Sequence, residues 1–128
     1  MKKLKPHEFV SYYKKLGVLD AYIELLRTGI REICIHSYGE IKIKDLDYID
    51  KEAKKAGFRT MLVTYKRRVG VDKHKLTTYN RIIYWKHRKK DACLLRNKMQ
   101  KDHKDKEDHI VIGRLLGYSE KAINSFIR

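Results

Sequence analysis

The sequence predicts an α+β fold, in which a small three-stranded mixed sheet is covered by helices and followed by a C-terminal helical hairpin. Three segments indicate it. Pro6 to Thr28 has apolar residues at helical spacing, Phe58 to Arg67 is rich in β-branched and aromatic residues, and the last twenty residues hold two apolar helical runs separated by a glycine. A chain of 128 residues can bury one core. We therefore expect an α+β body at 1–104 and a hairpin at 105–128, which can pack into the same domain.

The first half of the chain is predicted to form two helices and two strands. Pro6 to Thr28 carries one apolar stripe and is predicted to be helical. Ile30 to His36 has the composition of a strand, and a helix that Asp45 caps and Gly57 ends follows it. The next strand is Phe58 to Arg67. Because a helix of about twelve residues joins the two strands in a right-handed crossover, we expect them to lie parallel in one sheet.

The second half predicts one more strand and then helices. Val69 to Thr78 is a basic loop containing a glycine, and Tyr79 to Lys86 is a third strand, antiparallel to the second. Arg88 to Lys104 is predicted to be a helix. The segment KDHKDKEDH, up to His109, is a polar connector or a solvated helix extension. Its two histidines are six residues apart, which is not the helical spacing of zinc enzymes. We predict no metal site and no cofactor.

Cysteine usage and hydropathy limit the class of protein. Cys34 and Cys93 lie in apolar-patterned segments without a C-x-x-C spacing, so we expect buried thiols in a reducing compartment. The basic N-terminus lacks the apolar stretch of a signal peptide, and no run of about 18 apolar residues occurs. The sequence therefore predicts a cytoplasmic protein without membrane insertion.

The net charge of +15 is unevenly distributed along the chain. Met1 to Thr64 has a net charge of +4, and Tyr65 to Arg128 has a net charge of +11. Such a surface attracts polyanions, because binding them releases their counterions, and nucleic acid is the commonest such partner. An acidic protein surface or a thermophile-like enrichment in charged residues also accounts for part of this charge.

The most basic stretch is Tyr65 to Lys90, in which ten Lys and Arg stand against Asp72 alone. Interleaved tyrosines and a tryptophan add flat surfaces of the kind that hold single-stranded nucleic acid. The alternative is that one aromatic face packs on the first helix and the basic residues form a solvated edge. Under the nucleic-acid interpretation, the predicted phosphate contacts are Arg67, Arg68, Lys73, Lys75, Lys86, Arg88, Lys89 and Lys90.

The C-terminal segment His109 to Arg128 has a corner between two short apolar runs. Gly117 can end one helix in the left-handed conformation, and Ser119 can cap the next. These twenty residues resemble the helix-turn-helix of DNA-binding repressors. The resemblance implies that Gly113 lies where the helices cross. It also implies that the apolar positions Ile112, Leu116, Ile123 and Phe126 are buried.

The resemblance further implies a base-reading face on the second helix. Ser119, Glu120, Lys121, Asn124, Ser125 and Arg128 would face the major groove, and the discriminating side chains would be Lys121, Asn124 and Arg128. Tyr118 departs from the pattern, because the residue after the turn glycine is usually aliphatic. The alternative is a structural cap, since any antiparallel helix pair needs a small residue, a glycine corner and a cap. The GRLLGYS tail also resembles some uncharacterised archaeal and archaeal-virus proteins, which assigns no function.

Catalytic motifs give little support to an enzyme. Glu40 and Lys42 have the E-x-K form of metal-dependent nucleases but lack an upstream acidic partner, and Cys34 and His36 share one strand face. We expect a nucleic-acid-binding protein, DNA more than RNA, that uses the hairpin on double-stranded DNA and can form a homodimer. One alternative is a viral or mobile-element interaction protein that docks a basic face on an acidic partner protein. A metal-dependent nuclease is the third.

Overall fold

The computed structural model describes residues 6–37, 46–69 and 74–127, with side chains at 17–36, 47, 49–64, 77 and 79–127. Within these ranges the chain forms five α-helices and three strands. A 3-10 turn over Lys86–Arg88 links the last strand to the third helix. The elements in chain order are α1 (Pro6–Arg27), β1 (Ile33–Ser37), α2 (Leu46–Lys55), β2 (Arg59–Val69), β3 (His74–Tyr84), α3 (Lys89–Met99), α4 (Lys106–Leu115) and α5 (Glu120–Ile127).

The α+β class is confirmed, but the predicted mixed sheet is wrong. The sheet has the order β1-β3-β2, and both pairs of neighbouring strands are antiparallel. Strands β1 and β2 therefore run in the same direction, as the crossover predicts, but β3 lies between them. The reason is that β3 pairs along its whole length with β2 and also pairs with β1 from Ile33↔Tyr84 to Ser37↔Asn80. This is a split β-α-β arrangement.

One face of the sheet packs against the first two helices. Cys34 of β1 and Ile83 of β3 point to this side, where they form one buried cluster with Leu19, Ile23 and other residues of α1 and α2. The apolar spacing of α1 predicts a helix that covers a sheet, and the described part of α1 does so. Trp85 closes the end of this layer, since its indole Nε1 donates to the Leu26 carbonyl oxygen at 2.8 Å.

The opposite face packs against α3 and α4. Ile33, Ile82 and Val63, one from each strand, form a second buried cluster with Ala92 and Leu95 of α3. Three apolar residues at the C-terminal part of α4 and in the corner after it pack on the same cluster, namely Ile112, Leu115 and Leu116. The sheet is therefore the middle layer of three, and the C-terminal hairpin packs on the body through α4.

Several predicted boundaries shift, each for a local reason. The β2–β3 pair continues to Val69↔His74, so most of the predicted basic loop belongs to the strands. The last strand ends at Tyr84, where the 3-10 turn begins the change of direction. Helix α3 ends at Met99 and not at Lys104, because Asp105 caps a new helix: its side chain accepts from the Asp108 N–H at 2.8 Å, and Asp108 accepts from the Asp105 N–H at 3.0 Å.

Asp108 joins α3 to α4 through a buried carboxylate. Only 1% of the residue is exposed, and its oxygens accept from Lys98 Nζ at 2.9 Å and Lys101 Nζ at 2.7 Å. The hydrogen bonds from Lys101 and Lys98, with that of the Asp105 N–H, hold the pKa of Asp108 well below its usual range. Because both ammonium groups come from the α3 end of the connector, this carboxylate fixes where α4 begins.

Across the described ranges, none of the helices combines the length and the apolarity that crossing a bilayer would require.

We predict that Asp108→Asn lowers the melting temperature at pH 7 by an amount that shrinks in acid. A depressed folded pKa stabilises the protein above the unfolded value of about 3.9, and this stabilisation is lost as the pH falls below it. Thermal melts of the wild type and the variant between pH 7 and pH 3 measure the difference. Asp20→Asn, at an exposed position of α1, is the matched control. An equal difference at every pH would contradict the assignment.

Candidate nucleic-acid interface

The corner of the C-terminal hairpin is built by a glycine in the left-handed conformation. Gly117 has φ of 81°, its N–H donates to the Arg114 carbonyl oxygen at 3.0 Å, and the Tyr118 N–H donates to the Gly113 carbonyl oxygen at 3.0 Å. This pair of bonds satisfies carbonyl groups that the end of α4 would otherwise leave open. The predicted helix stop at Gly117 is confirmed.

Helix α5 starts at the predicted cap. The Ser119 Oγ accepts from the Ala122 N–H at 3.1 Å, which satisfies one of the first N–H groups of the helix. Across the corner, Arg114 Nε and one of its terminal nitrogens donate to the two carboxylate oxygens of Glu120 at 3.0 and 3.3 Å. This fork lowers the pKa of Glu120 and ties the last turn of α4 to the first turn of α5.

The two helices touch most closely at Gly113 and Ile123. A Cβ atom placed on Gly113 would lie 2.7 Å from Cγ1 of Ile123, closer than non-bonded carbon atoms approach. Ile123 is 4% exposed and is the buried residue of α5. The prediction that Gly113 lies at the crossing is confirmed, and the close approach explains why no larger side chain fits there.

The prediction that Phe126 is buried is wrong. Its side chain is 71% exposed and meets the ring of His109 edge-on, with 5.3 Å between the ring centroids. A residue three positions after Ile123 is turned by about 60° around the helix, so Phe126 lies on the flank of α5, beside His109 of α4 and outside the buried crossing at Gly113. With Tyr118 and Ala122, Phe126 lines an open apolar groove of about 370 Å³.

The outer face of α5 is open to solvent. Glu120, Lys121, Asn124 and Ser125 are all exposed, and α5 makes its main contacts with α4. A hairpin whose outer face packed on the sheet or on α1 would be a structural cap, and the exposed polar face does not have that arrangement. Of the three predicted base-reading residues, Lys121 and Asn124 share this open face, while Arg128 lies outside the described residues.

Tyr118, the departure from the helix-turn-helix pattern, is held by a contact that its sequence pattern does not indicate. The guanidinium carbon of Arg31 lies over its ring, 5.1 Å from the centroid, in cation–π geometry. Arg31 precedes β1, so the corner of the hairpin lies beside the beginning of that strand. Arg31 lies inside the segment that was predicted to be the first strand, and nothing in its spacing pointed to Tyr118.

The predicted phosphate contacts fall into two separate groups. Lys86, Lys89 and Lys90 are exposed in the turn after β3 and the start of α3, and we name them the basal cluster. They lie at the same end of the sheet as the hairpin corner. Glu32, next to Arg31, accepts from an Arg88 terminal nitrogen at 3.1 Å, which joins the two regions. Arg88 also pairs with Asp91 at 2.8 Å, so its charge is already used within the protein.

The second group lies at the far end of the β2–β3 pair. Arg67 is opposite Leu76, and Arg68 is opposite Lys75. Among the described residues, these pairs lie beyond the last position at which β1 joins β3, so this part of the sheet has two strands and we call it the ribbon. We name Arg67, Arg68 and Lys75 the ribbon cluster. Lys73 lies outside the described residues.

The hairpin itself contributes no net charge. Residues 105–128 contain four Lys and Arg and four Asp and Glu, so the whole net charge of +15 belongs to residues 1–104. Two of the acidic groups, Asp108 and Glu120, are engaged by basic residues. Any electrostatic hold on a polyanion therefore comes from the body, and the hairpin can add only local polar contacts.

The catalytic alternatives gain no support from the described residues. Burial raises the pKa of the Cys34 thiol to about 11, so the thiolate that a nucleophile requires is disfavoured. His36 is buried on the same face and meets the ring of Tyr22. Glu40 and Lys42 lie outside the described residues. Within the described part of the chain, no three His, Cys, Asp or Glu side chains gather as a metal ion would require.

The buried ion network of Asp108 was also missed at the level of sequence. The polar run around it is typical of a connector, and it contains Asp105 and Asp108 at the three-residue spacing of a reciprocal helix cap. That spacing, followed by the apolar residues of α4, was the signal that could have located the helix start.

Comparisons with known proteins give no relative. No protein-family model matches the chain, and neither a curated protein nor a solved structure matches it significantly.

We predict that Gly113→Ala destabilises the protein, because its Cβ atom must push Ile123 away. Overpacking of this kind costs about 1 to 3 kcal/mol in the free energy of unfolding. The matched control is Gly17→Ala in α1, where a Cβ atom would meet nothing within 4 Å. It should stabilise the protein by about 0.5 to 1 kcal/mol. Urea unfolding measures both, and a neutral Gly113→Ala would contradict the close crossing.

Proposed function

We propose that the protein binds double-stranded DNA, with the outer face of α5 in the major groove and basic residues of the body on the phosphates. The observation that carries the proposal is the open polar face of α5 on a hairpin whose corner, cap and crossing are all built by specific contacts. A B-form major groove accepts an α-helix. A helix with its side chains is about 10 to 12 Å in diameter, which matches the groove width of about 12 Å.

The position of the basal cluster supports this assignment. A neutral hairpin cannot draw a polyanion by itself, so groove binding requires cations nearby that hold the backbone in register. Lys86, Lys89 and Lys90 provide exposed ammonium groups at the end of the sheet where the hairpin turns. In this arrangement the body binds the phosphates, and α5 contacts the bases.

Lys121 and Asn124 are the side chains we assign to base contacts. Both are exposed, and they are three positions apart on one face of the helix, away from Ile123. An Asn side chain matches the paired donor and acceptor of adenine, and Lys matches the acceptors of guanine. The apolar flank with Phe126 lies on the other side of α5, so it does not interfere with this face.

We predict that Asn124→Ala relaxes sequence preference without unfolding the hairpin. Each good side-chain-to-base pair contributes about 1 to 3 kcal/mol of discrimination, so preference at one base pair should fall by roughly 5-fold or more. Selection from a random duplex library identifies the preferred site, and titrations of single-base variants of that site measure the loss.

Two further variants make this experiment decisive. Phe126→Ala, on the exposed flank, should leave the preference unchanged, and Ile123→Ala should destabilise the fold by opening a cavity. An acidic polypeptide serves as a competitor of equal charge. If the protein binds that polypeptide as tightly as duplex DNA, or if selection yields no preferred site, α5 does not read bases.

A further inference from the structure

The basal cluster and the ribbon cluster are fixed at opposite ends of one strand. Lys75, of the ribbon cluster, is the second residue of β3, and Lys86, of the basal cluster, follows two residues after its end at Tyr84. A strand rises about 3.3 Å per residue, so the two clusters are separated by roughly 30 Å. Strand β3 is the central strand of the sheet, paired with β2 along its length and with β1 at the basal end. The separation is therefore held by the most constrained element of the fold.

At physiological ionic strength, the charges of the two clusters are screened from each other. The Debye length at physiological ionic strength is about 8 Å, much shorter than the separation. Neither cluster therefore strengthens the other through its field. Only a rigid polyanion that reaches both can couple them, because its second contact then forms at a high effective concentration.

The separation is close to the repeat of B-form DNA. One helical turn brings the same backbone to the same side of the duplex every 34 to 36 Å, about 10 base pairs. A single strand or an extended acidic peptide has no such fixed repeat. Both faces of the sheet are covered by helices, so a straight duplex can meet these basic residues at the two ends of the sheet and not across its middle.

We propose that one copy of the protein bridges two successive turns of a single duplex, with the basal cluster on one turn and the ribbon cluster on the next. This inference rests on the proposed function and goes further, since it names a duplex longer than one turn as the ligand. The hairpin corner lies at the basal end, so base contacts are made at one end of the bridge. The ribbon anchors the other end without reading sequence.

The test compares the affinity for duplexes of about 8 and about 20 base pairs, since one turn is about 10. The wild type should bind the longer duplex at least 10-fold more tightly, after correction for the number of binding positions. A single-stranded 20-mer should not show this gain. Affinity is measured by fluorescence anisotropy across a salt series.

Two triple variants separate the clusters. Lys86→Gln, Lys89→Gln and Lys90→Gln remove the basal cluster, and Arg67→Gln, Arg68→Gln and Lys75→Gln remove the ribbon cluster. Each triple variant should abolish the gain with duplex length and reduce the salt slope on the long duplex, by about 1 for each phosphate contact removed. On the short duplex, which reaches one cluster at a time, the basal variant should lose most of its affinity, because the hairpin binds at that end. The ribbon variant should bind the short duplex almost as tightly as the wild type does.

The matched control removes three exposed lysines of α2, with Lys51→Gln, Lys54→Gln and Lys55→Gln. It loses the same charge outside both clusters, so the gain with length should remain. Circular dichroism melts verify that all three variants are folded. If the wild type binds duplex DNA without a gain between the two lengths, or if the cluster variants keep the gain, the bridge is wrong and the proposed function stands. If no duplex is bound at any length, both are wrong.

Discussion

The burial of β3 on both faces is the constraint on which the rest of the fold depends. Ile83 on one side and Ile82 on the other are fully buried, so each face requires its own cover of helices. The first two helices supply one cover, and the third and fourth supply the other. Because α4 is needed for the second cover, the hairpin begins against the body, and only α5 is left to project its polar face to solvent. The surface of the hairpin that remains accessible is therefore determined by which of its helices is needed to cover the sheet.

The sequence predicted the elements well and their arrangement less well. Helical spacing located α1 and α2, and β-branched composition located the three strands, because both signals are local. Strand order is not local. The alternation of Ile82 and Ile83 indicates burial on two faces, but it is the same whether β3 lies at an edge or between β1 and β2. Pairing with the more distant β1 was therefore invisible, and a mixed sheet was expected where an antiparallel one formed.

The candidate site shows the same difference between what local signals predict and what they do not. Gly113, Gly117 and Ser119 were predicted correctly, since each position is dictated by backbone geometry within a few residues. Phe126 was not, because an apolar residue at helical spacing is buried only if another element covers that flank. The ten basic residues from 65 to 90 are one run in the sequence, but six of them form two clusters in space, at opposite ends of β3. The sequence shows how many basic residues this stretch contains, but not how they are distributed over the folded protein.

The central position of β3 also orders the assembly of the sheet. Strands β2 and β3 are joined by only the four residues 70–73, so their pairing closes a short loop. Strand β1 must find β3 from the far side of α2 and β2, at a larger loop-closure entropy. We expect the β2–β3 hairpin to form first and β1 to dock late. A chain stalled before that step would present the bare edge of β3, which makes the docking of β1 the stage most exposed to strand-to-strand aggregation.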